Sequence, residues 1–93
     1  MKRRILEIRK RIDRLDDELL ELLLGRLKLG QEIGRVKLEL GLPATDVKRE
    51  EEIIERVVNL AEGRIAREDI EKIFSAIMET TRRTQELQTD VTE

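Results

Sequence analysis

Residues 3–40, RRILEIRKRIDRLDDELLELLLGRLKLGQEIGRVKLEL, contain no proline, and their apolar residues keep a fixed rhythm. Ile5, Ile8, Ile12, Leu15, Leu19 and Leu22, then Leu29, Ile33, Val36 and Leu40, follow steps that alternate between three and four, with one beat skipped. That spacing puts them on a single stripe of a continuous helix, the seam pattern of a coiled coil. Gly41 and Pro43 supply the stop signals. A helix of this length spans roughly 55–60 Å. A compact domain of 93 residues has a radius of gyration of about 12 Å, so half of the helix must project beyond any single-chain core. The projecting seam is apolar and needs a cover. The sequence therefore predicts a second copy of the chain on it, most simply a two-fold homodimer.

Two shorter helices follow. Thr45 or Asp46 can cap a helix over about 47–62, with Ile53, Ile54, Val57, Val58 and Ala61 inward and Gly63 behind it. A third helix over about 67–88 carries Ile70, Ile73, Phe74 and Ile77 on its apolar face. The tail from Thr89 to Glu93 is polar and predicted to fray. No repeat or linker divides the chain, which reads as one all-α domain over 1–93.

Composition narrows the function. Charged residues make up 43% and hydrophobic ones 39%, a helix-forming mixture with one aromatic residue, Phe74. A net charge of −2 gives no field to recruit nucleic acid or an acidic membrane, and one aromatic makes no stacking platform. The chain has neither cysteine nor histidine. Disulfides, zinc fingers, thiol nucleophiles and imidazole bases are excluded, and no carboxylate spacing supports a metal site. No signal peptide or long apolar run is visible, which predicts a soluble cytoplasmic protein. An enzyme with this composition must run a reaction that needs no strong nucleophile.

The skipped beat falls between Leu22 and Leu29, where Arg26 replaces the expected apolar residue. A guanidinium at a core position is costly unless an acceptor meets it. It could fix register or join an interhelical ion pair. Gly30, Gly34 and Lys37 share its stripe, and the eleven residues from Arg26 to Lys37 bring both cations to the same side. Each glycine costs about 0.5–1 kcal/mol relative to alanine in a helix interior, so something must approach the backbone there. A packing helix would suffice for the glycines alone, but cations at either end favour a compact dianion. On the second helix Glu50, with Arg49 beside it, opens the inward face, though a first-turn glutamate is commonly there for the helix dipole. On the third helix the apolar stripe continues into Thr81 and Gln85. Together Arg26, Lys37, Arg49, Glu50, Thr81 and Gln85 would line a cationic, hydrogen-bonding cavity between helices.

These residues, in this order, resemble the all-helical class of chorismate mutases, whose three-helix chains form an intertwined homodimer. The resemblance covers about 8–85. It rests on Arg9 with Ile12, Leu15 and Asp16; on Arg26; on Gly34 with Lys37; on Pro43 and the run Asp46-Val47-Lys48-Arg49-Glu50; and on Thr81 with Gln85. It implies that Arg26 pairs with a substrate carboxylate within its own subunit, while Arg9 reaches across the dimer into the partner's site. Lys37 and Gln85 would hydrogen-bond the ether oxygen of the breaking bond. Glu50, with the backbone near Asp46, would hold the ring hydroxyl, and Arg49 and Thr81 would support the pocket wall. The chain departs from its relatives at Gly25, where an acid often precedes the arginine, and at Thr81, where some have serine.

The implied reaction is the [3,3] rearrangement of chorismate to prephenate, in phenylalanine and tyrosine biosynthesis, with no cofactor. It breaks a C–O bond as a C–C bond forms and needs no acid, base or nucleophile, which suits this composition. Two rival readings stay open. One is a lyase of the same fold that eliminates pyruvate from isochorismate. The other is a non-catalytic helical dimerisation module, which predicts Arg26 and Lys37 matched to acids with no cavity between the helices.

Overall fold

The computed structural model describes residues 2–91, with side chains as far as Gln85. It consists of α1 (Lys2–Leu40), α2 (Val47–Ala61) and α3 (Arg67–Val91). α2 and α3 begin where the sequence predicted, α2 ends one residue early, and α3 runs three residues beyond the expected end near Gln88. The tail expected to fray from Thr89 is helical to Val91; Thr92 and Glu93 lie outside the described residues. Among the described residues no helix is long and apolar enough to cross a membrane.

Each boundary has a local cause. At the end of α1, Gly41 turns left-handed at φ 68°. Its N–H donates to Leu38 O at 3.2 Å and the N–H of Leu42 donates to Lys37 O at 2.8 Å, a Schellman closure. Asp46, rather than Thr45, caps α2: its carboxylate accepts from the backbone N–H of Arg49 at 3.0 Å. Glu62 and Gly63 are both left-handed after α2. Arg64 then folds back, donating from Nε to Ala61 O at 2.9 Å and from Nη2 to Leu60 O at 3.0 Å, which satisfies two orphan carbonyls. Glu68 and Asp69 place negative charge in the first turn of α3, where the dipole favours it.

α3 packs against both α1 and α2, and α1 and α2 make no direct backbone approach among the described residues. The small core lies on α3 and the facing side of α2: Ile53, Ile70, Met78 and the polar Thr81 are buried. Ile70, only 2% exposed, contributes about 1.5–3 kcal/mol by its burial. Ile70, Phe74, Ile77, Thr81 and Gln85 turn inward as expected, but Ile73 stays 51% exposed and Met78 is buried instead. Arg67 closes the far end with two hydrogen bonds to Glu55, at 2.7 and 2.9 Å. The hydrogen bond and charge of that carboxylate raise the Arg67 guanidinium above its ordinary value.

α1 itself has no buried residue. The molecule measures 58 × 31 × 15 Å, its long axis matching the 39 residues of α1 at about 1.5 Å each. The radius of gyration is 17.0 Å, against about 12 Å for a compact chain of this length. Every described residue before Leu23 is exposed, including the seam residues Ile5, Ile8, Ile12, Leu15, Leu19 and Leu22.

Candidate active site between the three helices

Where α3 holds α1 and α2 apart, a cavity of about 270 Å³ opens. α1 contributes Arg26, Leu29, Gly30, Ile33 and Lys37, and the connecting segment contributes Ala44, Thr45 and Asp46. α2 adds Arg49, Glu50 and Ile53, and α3 adds Met78, Thr81, Arg82 and Gln85. Of the residues singled out in the sequence, Arg26, Lys37, Asp46, Arg49, Glu50, Thr81 and Gln85 all line this space. Arg9 does not: it lies on the exposed first half of α1.

The spacing of four and seven residues along α1 points Arg26, Gly30 and Lys37 to the same side. Arg26 donates from Nη1 to Thr81 Oγ1 at 3.3 Å, and that hydroxyl donates onward to Ile77 O at 2.8 Å. Thr81, 8% exposed, thus fixes the guanidinium at the head of the cavity. Lys37 Nζ sits 3.5 Å from Ala44 O. Among the described residues neither Arg26 nor Lys37 has a carboxylate partner.

The two glycines answer to α3. A β-carbon on Gly30 would overlap the methyl of Thr81, and one on Gly34 would stand 3.0 Å from Gln85 Cδ. The close approach inferred from these glycines is therefore helix packing, with Gly30 also lining the cavity. The third helix, not a ligand, is what needs them, because it presents Thr81 and Gln85 at that height. The packing also places Gln85, whose Nε2 donates to Gly30 O at 2.5 Å.

On α2 the cap sets the wall. With Asp46 tied to the N–H of Arg49, Glu50 falls in the first turn facing α3. There its Oε2 accepts from Arg82 Nη1. Arg49 points outward enough to pair with Glu52 at 3.9 Å, both side chains more than half exposed, a contact of small energetic weight. Arg82 was missed in the sequence. It precedes a second arginine, and the pair looks like ordinary solvated charge. Placing Met78 on the inward stripe would have found it, four residues on. The lining thus carries four cations against the two carboxylates of Asp46 and Glu50, a surplus of two positive charges. Such a wall is complementary to a small dianion.

Fold and cavity together define an all-helical protein with a cation-rich, interhelical ligand site. The family model described as chorismate mutase type II matches residues 8–86. The chain is 35% identical over 77 residues to the chorismate mutase of Methanocaldococcus jannaschii, covering 82% of this chain and 78% of that one. It is 34% identical over 83 residues to the bifunctional chorismate mutase/prephenate dehydratase of Escherichia coli K12, covering 88% of this chain and 22% of that one. Chorismate mutase of Thermus thermophilus, in its form II structure, superposes with a TM-score of 0.85 at 42% identity, over 89% of this chain and 94% of that one. Its form I structure gives 0.80 at 44% identity, over 84% and 98%. The chain belongs to the chorismate mutase type II family.

Proposed function

We propose that the protein is a cytoplasmic, cofactor-free chorismate mutase that rearranges chorismate to prephenate, acting as a homodimer. The observation that carries this reading is that Arg26 and Lys37 face a cavity where, among the described residues, no carboxylate pairs with either. A dicarboxylate substrate would be the missing counter-charge. A helical scaffold that paired its cations across an interface would leave no such space.

The division of labour follows the residues. Arg26, steadied by Thr81, meets one substrate carboxylate, for which the planar guanidinium fork is suited. Arg9 of the partner subunit meets the substrate from across the dimer. Holding both ends keeps the flexible substrate in the chair-like conformer from which the C–C bond can form. As the C–O bond lengthens, negative charge grows on the ether oxygen, and Lys37 and Gln85 donate to it. One such donor in a water-poor pocket is worth roughly 3–4 kcal/mol of barrier. Asp46 and Glu50 border the ring hydroxyl, with Arg49 at the wall.

The surface supports the dimer. A compact folded chain of 10.9 kDa exposes about 5,600 Å² by size scaling, whereas this one exposes 8231 Å². The excess, about 2,600 Å² per chain and so about 5,200 Å² over two chains, falls at the upper end of what obligate dimers bury. Purified protein mixed with chorismate is expected to consume its absorbance and yield prephenate. Inert protein defeats the reading, and salicylate plus pyruvate from isochorismate would replace it with the lyase.

A further inference from the structure

Glu50 raises a difficulty that the reading above leaves unanswered. A carboxylate in a site for a dianion repels its ligand, and nothing in a first-turn position alone holds its oxygens in one orientation. The structure supplies an answer on α3. We infer that Arg82 is a positioning residue: its guanidinium fixes the Glu50 carboxylate at the cavity wall and offsets its charge, so that an acceptor for a substrate hydroxyl can work beside a doubly negative substrate.

Four observations carry this. Arg82 and Glu50 both line the cavity, so their ion pair is part of its wall. It joins α2 to α3 across thirty-two residues of sequence. The two side chains are 37% and 29% exposed, while those of every other ion pair among the described residues are about half exposed or more. Less solvent means less screening, so this pair is held more firmly than its surface counterparts. The surroundings also leave the task to Arg82. Asp46 and Arg49 flank Glu50 along α2, but Asp46 is spent on the Arg49 N–H and the Arg49 side chain leans towards Glu52. Across the cavity Arg26 and Lys37 are bonded to Thr81 and Ala44. Without Arg82 the surplus positive charge of the lining would fall from two to one.

The inference rests on the chorismate mutase reading, and the experiment separates the two. Steady-state kinetics on chorismate are measured for the native chain, Arg82→Met, Arg82→Lys, Glu50→Gln and the double variant, with folding followed by circular dichroism. Arg82→Met is expected to lower kcat/KM about tenfold, chiefly by raising KM, and Arg82→Lys to recover most of the loss. In the Glu50→Gln background, adding Arg82→Met should cost less than about twofold more, because both changes disable one unit. A purely structural role would lower kcat through the folded fraction and leave KM in place. Unchanged kinetics in Arg82→Met, losses that multiply in the double variant, or no recovery with lysine would each overturn the inference. If Arg82→Met does not fold, Arg82→Gln against Arg82→Lys carries the same comparison. A native chain inert towards chorismate would remove the functional reading and this inference together, whereas an active chain indifferent to Arg82 removes only the inference.

Discussion

The methyl of Thr81 rests against Gly30, in the space that a β-carbon at position 30 would occupy. Thr81 cannot swing aside cheaply, since its hydroxyl is bonded to Ile77 and Arg26 and its branched side chain is stiff. Gly30→Ala is therefore expected to destabilise the fold by about 1–3 kcal/mol, overriding its gain in helix propensity. Gly25 has nothing within 4 Å, and Gly25→Ala should stabilise by about 0.5–1 kcal/mol. Urea midpoints of the two variants should move in opposite directions.

Arg26→Ala and Lys37→Ala should each cut turnover by orders of magnitude and leave a folded helical protein. Each removes a cation from the cavity, and neither cation is in an ion pair among the described residues. Prephenate formation, read beside the helical circular dichroism signal, checks this; near-normal activity in either variant would defeat the assignment.

Stability reports the capping role of Asp46. Its carboxylate caps α2 through the Arg49 N–H at 3.0 Å. Asp46→Ala should cost about 1 kcal/mol of stability, and Asp46→Asn much less, because the amide oxygen can still accept. Thermal melts of the two variants give the comparison.

The donor role proposed for Gln85 predicts a pH profile. A neutral amide donates at any pH, so activity should be nearly flat from about pH 5 to 8. Gln85→Glu must be protonated before it can donate, and its activity should rise steadily as the pH falls. A native enzyme with a sharp acid optimum would assign the donor's task to a carboxyl.

The exposed seam predicts association. Ile12 and Leu15, 49% and 62% exposed in the single chain, sit on the half of α1 where every described residue is exposed. Leu15→Glu should yield a monomer in sedimentation, with loss of activity as Arg9 is withdrawn from the partner's site. A native chain that sediments as a monomer at micromolar concentration contradicts the dimer.

Much of this molecule is legible in its residues, for identifiable reasons. The three-and-four rhythm of α1 is strong because it persists through ten apolar positions, and Gly41 and Asp46 mark their boundaries because left-handed backbone and N-capping suit few residue types. Arg26 announces itself by interrupting a pattern. Where no pattern is interrupted, reading fails. Arg82 hides beside Arg83, and its significance depends on a carboxylate thirty-two residues away. One position of the α3 stripe also escapes, because Ile73 and Met78 are both apolar and only packing decides which turns inward. Gly30 and Gly34 point correctly to a close approach without saying what approaches.

That α1 and α2 are, among the described residues, each fastened to α3 but not to each other leaves the bundle an open triangle. A molecule reaching from Lys37 to Glu50 would supply the missing side. Filling the gap and stiffening the whole chain are then a single event, so melting should climb with the logarithm of ligand concentration above its dissociation constant. Amide protons in the first turns of α2, which border the cavity, should gain the most protection from exchange.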